Sequence, residues 1–511
     1  MGVEISNNRR IAKNAIALYV RMLLTTLVTL YTSRVVLDML GVEDFGIYAL
    51  VGGVVAMLGF LNAAMSGATS RFLTFELAKG DEERLRDTFN SAMIIHVGIA
   101  LFVFVVAETV GLWLVNTRLV IPEERLFAAN CVYQFSILSA MVGITQVPYN
   151  ADIIANEKMD VYAYVEMLNV GLKLAVVFLL GVGIFDKLIL YAFLILCVSV
   201  IIAMIYRLYC LRHFSESRLR WVWDKTLLKP MLAFSGWDLY GNMSVTVRQQ
   251  GLNMLLNLFF GPVVNAASSI ATTVNGAVNG LATNIIVAFR PQIIKNYSCN
   301  QMDSFFAIMV NAVIFSISFL AAVSIPLYFE MEMVLQLWLG QIPDYVVAFV
   351  RVILIANVLG VINSVVTIGI HSTGNIKKLS VISGSLYLFT LPITYVLLKL
   401  NCSANAAYVV YAIMMAFILG TNLFILKGMV VQFDLGKFLI VILRILIMIS
   451  LGVAMSYPIY LTLPQSFERL LIMCAASVVS IAALMYLIVL NREQRQSCNR
   501  YIGRILFKKK N

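Results

Sequence analysis

One pattern repeats from end to end of this chain: apolar runs of about twenty residues, separated by short turns. No segment between them is long enough for a water-soluble domain. A helix rises about 1.5 Å per residue, so about twenty apolar residues cross a hydrocarbon core of about 30 Å. A helix also bonds all of its backbone groups internally, which lipid requires. About fourteen runs qualify, near residues 15–37, 45–65, 90–115, 126–148, 162–182, 188–210, 236–260, 264–288, 305–327, 346–369, 380–398, 406–427, 438–460 and 469–490. The chain is 61% hydrophobic and only 13% charged, against about 25% charged in soluble domains. The expected fold is an all-α polytopic membrane protein with about fourteen transmembrane helices.

A net charge of +11 would point to nucleic acid in a soluble protein; here its distribution argues otherwise. With fourteen spans, 26 of the 38 Lys and Arg fall on the side of the N-terminus and 5 on the other. This is the positive-inside asymmetry. It predicts a multi-pass membrane protein with both termini cytoplasmic, and no nucleic-acid partner. Seven Cys are scattered without a CxxC, and three His are isolated, so neither metal site nor cofactor is expected. There is no GxxxxGK[ST] loop, no paired loop carboxylates and no His cluster. An enzyme is not expected and no catalytic residue is assigned.

An internal repeat emerges at an offset of about 219 residues. Gly41 and Gly261 each open an even-numbered span, which closes near Arg71 and Arg290 respectively. The turn holding Asn156 and Lys158 matches that holding Asn375 and Lys377, and Trp113 corresponds to Trp338 at a slightly longer offset. An even number of spans per copy keeps both copies in one orientation, so the repeats are parallel. The expected organisation is a six-helix lobe over 10–212, a basic cytoplasmic linker over 213–230 and a second six-helix lobe over 231–430. A helix pair over 431–490 and a basic tail over 491–511 complete it. The stretch RFLTFELAKGDEERLR reads as an amphipathic cytoplasmic linker. The second span is rich in small residues (Gly46, Gly52, Gly53, Ala56, Gly59), which let helices approach closely.

Two segments are too polar for lipid. In 264–288, Asn265, Ser268, Thr272, Asn275 and Asn279 recur at three- and four-residue steps, with Ile270, Val274, Val278, Leu281 and Ile285 on the far side. In 236–260, Asn242 and Gln249 accompany Arg248 and Asp238. These amides and hydroxyls form a candidate polar cavity wall. Charges inside a membrane are costly and are functional candidates. Arg248, Lys173, Arg34 and Arg351 are the candidate cavity cations. Asp238, Glu108 and Glu166 are candidates for H+ or Na+ coupling, and Arg207 and Arg444 read as snorkelling anchors.

The stretches RMLLTTLVTLYTSRVVLDMLGVEDFGIYALVGGVV, SRFLTFELAKGD, GLWLVNTRLVIPEERLFAANCVYQFSIL, QVPYNADIIANEKMDVYAY and NLFFGPVVNAASSIA resemble Wzx-type polysaccharide flippases of the MATE-like MOP superfamily. The resemblance implies two six-helix lobes around a central cavity lined by spans one, two, seven and eight, with helices thirteen and fourteen appended. It also implies the cargo: an undecaprenyl-pyrophosphate-linked oligosaccharide repeat unit, moved from inner to outer leaflet for lipopolysaccharide O-antigen or capsule biosynthesis. Partners would be this lipid-linked oligosaccharide, membrane lipids, a polysaccharide polymerase and glycosyltransferases. The alternatives are a MATE-type multidrug cation antiporter and a lipid II-type flippase. The excess of basic over acidic residues within spans argues against the antiporter.

Overall fold

The computed structural model describes residues 2–156, 158–181, 186–218, 220, 224, 227, 228, 231, 236–492, 494–496 and 499. Much of the expected 213–230 linker and 491–511 tail lies outside the described residues, as does the side chain of Asp238. Among the described residues every regular element is a helix.

Helix α1 (Gly2–Ala56) is bent at Gly41, whose φ of 78° is left-handed. A two-residue turn leads into α2 (Gly59–Lys79), so the expected 45–65 span is broken at 57–58. Charged residues 71–86, expected to form a linker, are mostly helical. Only Gly80 and Asp81 interrupt them: Gly80 ends α2 at φ 73°, and Asp81 caps α3 (Glu82–Val106) by accepting from the Arg84 N–H at 2.9 Å. Glu82 and Glu83 then favour the positive end of the helix dipole. A π-turn over Ala107–Gly111 and α4 (Leu112–Thr117) continue α3. Next come α5 (Leu126–Ala155), α6 (Met159–Leu179), α7 (Lys187–His213), α8 (Gly236–Phe260) and α9 (Pro262–Ser298). Then follow α10 (Met302–Leu339), α11 (Val346–Ser372), α12 (Lys377–Lys399), α13 (Asn405–Met429), α14 (Leu435–Thr462) and α15 (Phe467–Leu484). Gly261, the repeat partner of Gly41, has φ 77° and stands between α8 and α9 as Gly41 stands within α1. At both positions the chain turns where a residue with a Cβ would be strained.

Among the described residues, 12 helices are long and apolar enough to cross a membrane. Two features reduce the expected fourteen. Helix α1 holds two helical segments joined at the non-helical Gly41 and is counted once, and α8 carries too many polar groups to qualify by apolarity.

The chain packs as two compact units, one of residues 1–270, 343–345 and 387–407, the other of 271–342, 346–386 and 408–511. The division cuts α9 between Ile270 and Ala271. The first unit therefore extends past residue 212 to take in α8 and the start of α9. Its hub is α5, which packs against α7, α2, α3 and α1 through fully buried Ala129, Val132, Tyr133 and Ile137. Helix α8 lies against α1 and α2. The approach there is so close that a Cβ on Gly46 would fall 2.0 Å from the Pro262 carbonyl oxygen. In lipid, where apolar side chains gain little by leaving the solvent, such van der Waals contact is what holds helices together.

In the second unit α10 is the hub, packing on α11, α14 and α15. Pro326 inside α10 has no N–H for the carbonyl of Ala322, four residues back. The Ser477 hydroxyl of α15 donates to that carbonyl at 3.0 Å. Just beyond, α10 departs from helical geometry at Glu330 (φ −99°, ψ 15°), whose carboxylate meets Arg469 of α15. There Nη2 donates to Oε2 at 2.8 Å, and Nε lies 2.7 Å from Oε1. Arg469 also donates to the carbonyls of Leu463 (2.9 Å) and Tyr460 (3.3 Å). The final helix pair is thereby fastened to α10 at two levels.

Candidate functional site

Small residues shape a cavity inside the first unit. Gly52 and Ala56 of α1, Gly59 of α2 and Gly143 of α5 lack the bulk to fill the space beside Tyr48, leaving about 370 Å³. Pockets of 300–1,000 Å³ are typical for ligands. The walls are mostly apolar. The exceptions are Tyr48, Ser136 and Ser139. Ser136 donates to its own helix at the Val132 carbonyl, 2.8 Å away. The buried Ser139 hydroxyl has no hydrogen-bond partner among the described residues, so it can serve a guest.

The α8 face is the polar counterpart. Asn242 and Gln249, seven residues apart and so on one side of the helix, are both exposed. Arg248 is half-buried near the middle of α8, twelve residues from either end. Its guanidinium lies over the Tyr387 ring at 5.4 Å from the centroid, an arrangement that stabilises a cation away from water. Two residues on, the Gln250 side chain reaches Gly53 so closely that a Cβ there would lie 2.6 Å from its oxygen. Deeper still, the fully buried Asn257 amide accepts from the Val120 N–H (2.8 Å) and donates to the Val120 carbonyl (3.1 Å).

The polar stripe of α9 is shared between the units. Asn265 and Ser268 belong to the first and are buried. Asn265 spends its amide donors on the Asn253 carbonyl and Oδ1, both at 2.7 Å. Thr272, Asn275 and Asn279 belong to the second and are half-buried. The stripe's apolar side is not given over to lipid: Ile270, Val274 and Val278 are buried within protein. Among the other candidates, Arg34 and Lys173 are exposed, and Arg351 donates from Nε to the Tyr328 carbonyl at 3.0 Å. Glu166 accepts from the Tyr206 hydroxyl at 3.4 Å. Glu108 sits in the π-turn and accepts from Gln134 at 3.3 Å. π-turns within helices frequently mark functional positions. This one is held by Tyr133, whose hydroxyl donates to the Ala107 carbonyl at 2.7 Å and leaves room for no side chain at Gly111.

Two polar clusters have no counterpart in the sequence reading. Arg125, before α5, donates to Asp44 of α1 (Nε to Oδ1, 2.7 Å) and to Asp186, the N-cap of α7 (Nη1 to Oδ2, 2.5 Å). Burial pushes the Asp186 carboxyl up, but hydrogen bonds from Arg125 and from the Ile189 and Leu188 N–H groups, with the Arg125 charge, outweigh it and hold it below the usual range. At the other end of α5, Asn156 donates to both Asp152 Oδ1 (3.1 Å) and Glu216 Oε1 (3.2 Å), and Ser217 donates to Asp152 Oδ2 (2.8 Å). Spacing could reveal neither, since apart from the Asp152–Asn156 pair the partners lie 60 or more residues apart.

No family model matches this chain, and no curated protein is detectably similar in sequence. Solved structures are similar in fold. An inward-facing multidrug-resistance MATE family transporter of the MOP superfamily superposes with a TM-score of 0.65 at 13% identity, over 81% of this chain and 98% of that one. The chain has a MATE-like fold. An outward-facing structure of a MATE family transporter gives 0.58 at 12% identity, over 81% and 94%. A MOP superfamily transporter from Pyrococcus furiosus, described as having a binding pocket of reversed polarity, gives 0.59 at 14%, over 81% and 94%. Among the described residues, a helical, MATE-like fold with 12 helices long and apolar enough to cross a membrane is thus established.

Proposed function

We propose that this protein is a flippase. It carries an undecaprenyl-pyrophosphate-linked oligosaccharide repeat unit from the inner to the outer leaflet of the bacterial cytoplasmic membrane, by alternating access, for surface polysaccharide assembly. The observation that carries this reading is Arg248: a half-buried cation in mid-span, stacked on Tyr387, on a helix whose exposed side bears Asn242 and Gln249. Arginine stays charged at any relevant pH, and its planar fork suits a phosphate. The neighbouring amides supply partners for sugar hydroxyls. In the second unit, Thr272, Asn275 and Asn279 of α9 carry groups of the same kind. Glu108, in its π-turn, is the first candidate for H+ or Na+ coupling, ahead of Glu166 and Asp238. The fold supports alternating access, and Gly41 and Gly261 are hinge positions at matching places in the two repeats.

A multidrug cation antiporter is the second reading, favoured by the MATE transporters among the similar folds. A lipid II-type flippase differs only in the attached saccharide. Reconstituted flipping of a polyprenyl-pyrophosphate glycolipid, with a quaternary-ammonium dye as competing substrate, separates these readings. Glycolipid flipping that falls at least tenfold in Arg248→Ala and recovers partly in Arg248→Lys is expected. Dye transport with no glycolipid movement would refute the flippase reading.

A further inference from the structure

The second unit holds an apolar groove of about 390 Å³, unrelated to the polar surfaces above. Three helices form it: α10 from Ala321 to Tyr328, α11 from Leu354 to Leu359, and α14 from Leu446 to Val453. Pro326 and the kink at Glu330 bend α10 here. On α11, Arg351 lies three and four residues before the groove residues Leu354 and Ile355, and therefore on their face. Its Nε is fixed on the Tyr328 carbonyl, and its guanidinium lies 5.6 Å from the centre of the Tyr328 ring. Among the described residues no carboxylate pairs with it, and its terminal NH2 groups make no hydrogen bond.

The depth of the groove is readable. Phe329 packs in tilted contact with Tyr457 and Tyr460 of α14, ring centres 6.3 and 5.3 Å apart, next to the Glu330–Arg469 pair. A girdle of tyrosines beside charged groups marks the membrane–water interface. Arg351 lies five residues after Val346, the start of α11, about 8 Å from that helix end and within snorkelling reach of a phosphate. The groove residues Leu354 to Leu359 follow further along the helix. Its walls extend about 10 Å along α10 and α14 and about 8 Å along α11, at about 1.5 Å per residue. Half of a hydrocarbon core of about 30 Å is about 15 Å. The groove thus matches the acyl region of one leaflet, and is far too short for a long polyprenyl chain.

We infer that this groove is a binding site for a single anionic glycerophospholipid, with an acyl chain lying between α10, α11 and α14 and its phosphate on the guanidinium of Arg351. The lipid fills a gap where α14 would otherwise lack partner atoms against α10 and α11, and so acts as a structural component joining the final helix pair to the unit. This assignment is independent of the cargo.

The test is native mass spectrometry of the full-length protein after exchange into a delipidating detergent and titration with phosphatidylglycerol. Wild type should retain one phosphatidylglycerol. Arg351→Ala should weaken it about tenfold, the loss of about 1.4 kcal/mol, while Arg351→Lys keeps most of the affinity. Val358→Trp, which fills the groove but keeps the cation, should abolish retention. Should that variant fail to fold, Arg351→Ala against Arg351→Lys decides alone. Equal retention by wild type and Arg351→Ala overturns the proposal. So does saturable displacement of phosphatidylglycerol by a polyprenyl phosphate at lower concentration, which would assign the groove to cargo instead.

Discussion

Replacing Arg469 with Ala is the sharpest test of how the last two helices are held. The change removes the partner of a carboxylate that is fully buried, since the Glu330 side chain has 0% exposure and Arg469 only 8%. It also frees the Leu463 and Tyr460 carbonyls and a cation–π contact 5.0 Å from the Tyr460 centroid. Breaking a buried pair from one side costs about 3–5 kcal/mol, because the surviving charge is left uncompensated. For a unit of this size that corresponds to a fall in melting temperature on the order of 10 °C. Replacing both partners, as Glu330→Gln with Arg469→Met, removes the stranded charge and should recover at least half of the loss. Thermal unfolding of detergent-solubilised protein, followed by the monomer peak in size-exclusion chromatography, reads both effects. A shift below about 2 °C for Arg469→Ala, or a double variant no better than the single one, would refute the reasoning.

Ser477→Ala should cost about 1–3 kcal/mol by leaving the Ala322 carbonyl unsatisfied. Adding Pro326→Ala, which restores an N–H for that carbonyl, should return part of it in the same unfolding assay. Gly46→Ala should cost about 1–3 kcal/mol through overpacking, because the obstructing atom is a backbone carbonyl; Gly98→Ala, with open space around it, should be tolerated, and the yield of folded protein distinguishes them. The Asp186 carboxyl is held below its unfolded-state value, so its contribution is present at neutral pH and lost as pH falls through the folded value. Stability should be flat from neutrality to about pH 5 and decline below about pH 4, and Asp186→Asn should flatten that acid limb.

The periodicity of apolar residues located nearly every helix. Membrane spans are written as long runs, and the lipid leaves a segment of that length no alternative to helix. Boundaries drifted where local chemistry extends a helix into water: α3 begins at Glu82, because the Asp81 side chain caps it, and α10 runs to Leu339, beyond its apolar stretch. The polar character of 236–260 and 264–288 was equally plain in the sequence. What that polarity does was not, since Asn265 and Asn257 satisfy backbone and side-chain groups within the first unit while Asn242 and Gln249 remain exposed.

The sequence by itself determined the solvent, the helices, and the helix-opening glycines at Gly41 and Gly261, because each depends only on neighbours along the chain. Only the tertiary structure decided which charges are partners. Arg125 takes Asp44 and Asp186 from 81 and 61 residues away, and Arg469 takes Glu330 from 139. Arg351 comes to rest on Tyr328 at the rim of an apolar groove. A Coulomb or hydrogen-bond interaction acts over a few ångströms of space and is indifferent to sequence separation. Such pairings exist only once packing has fixed the distances.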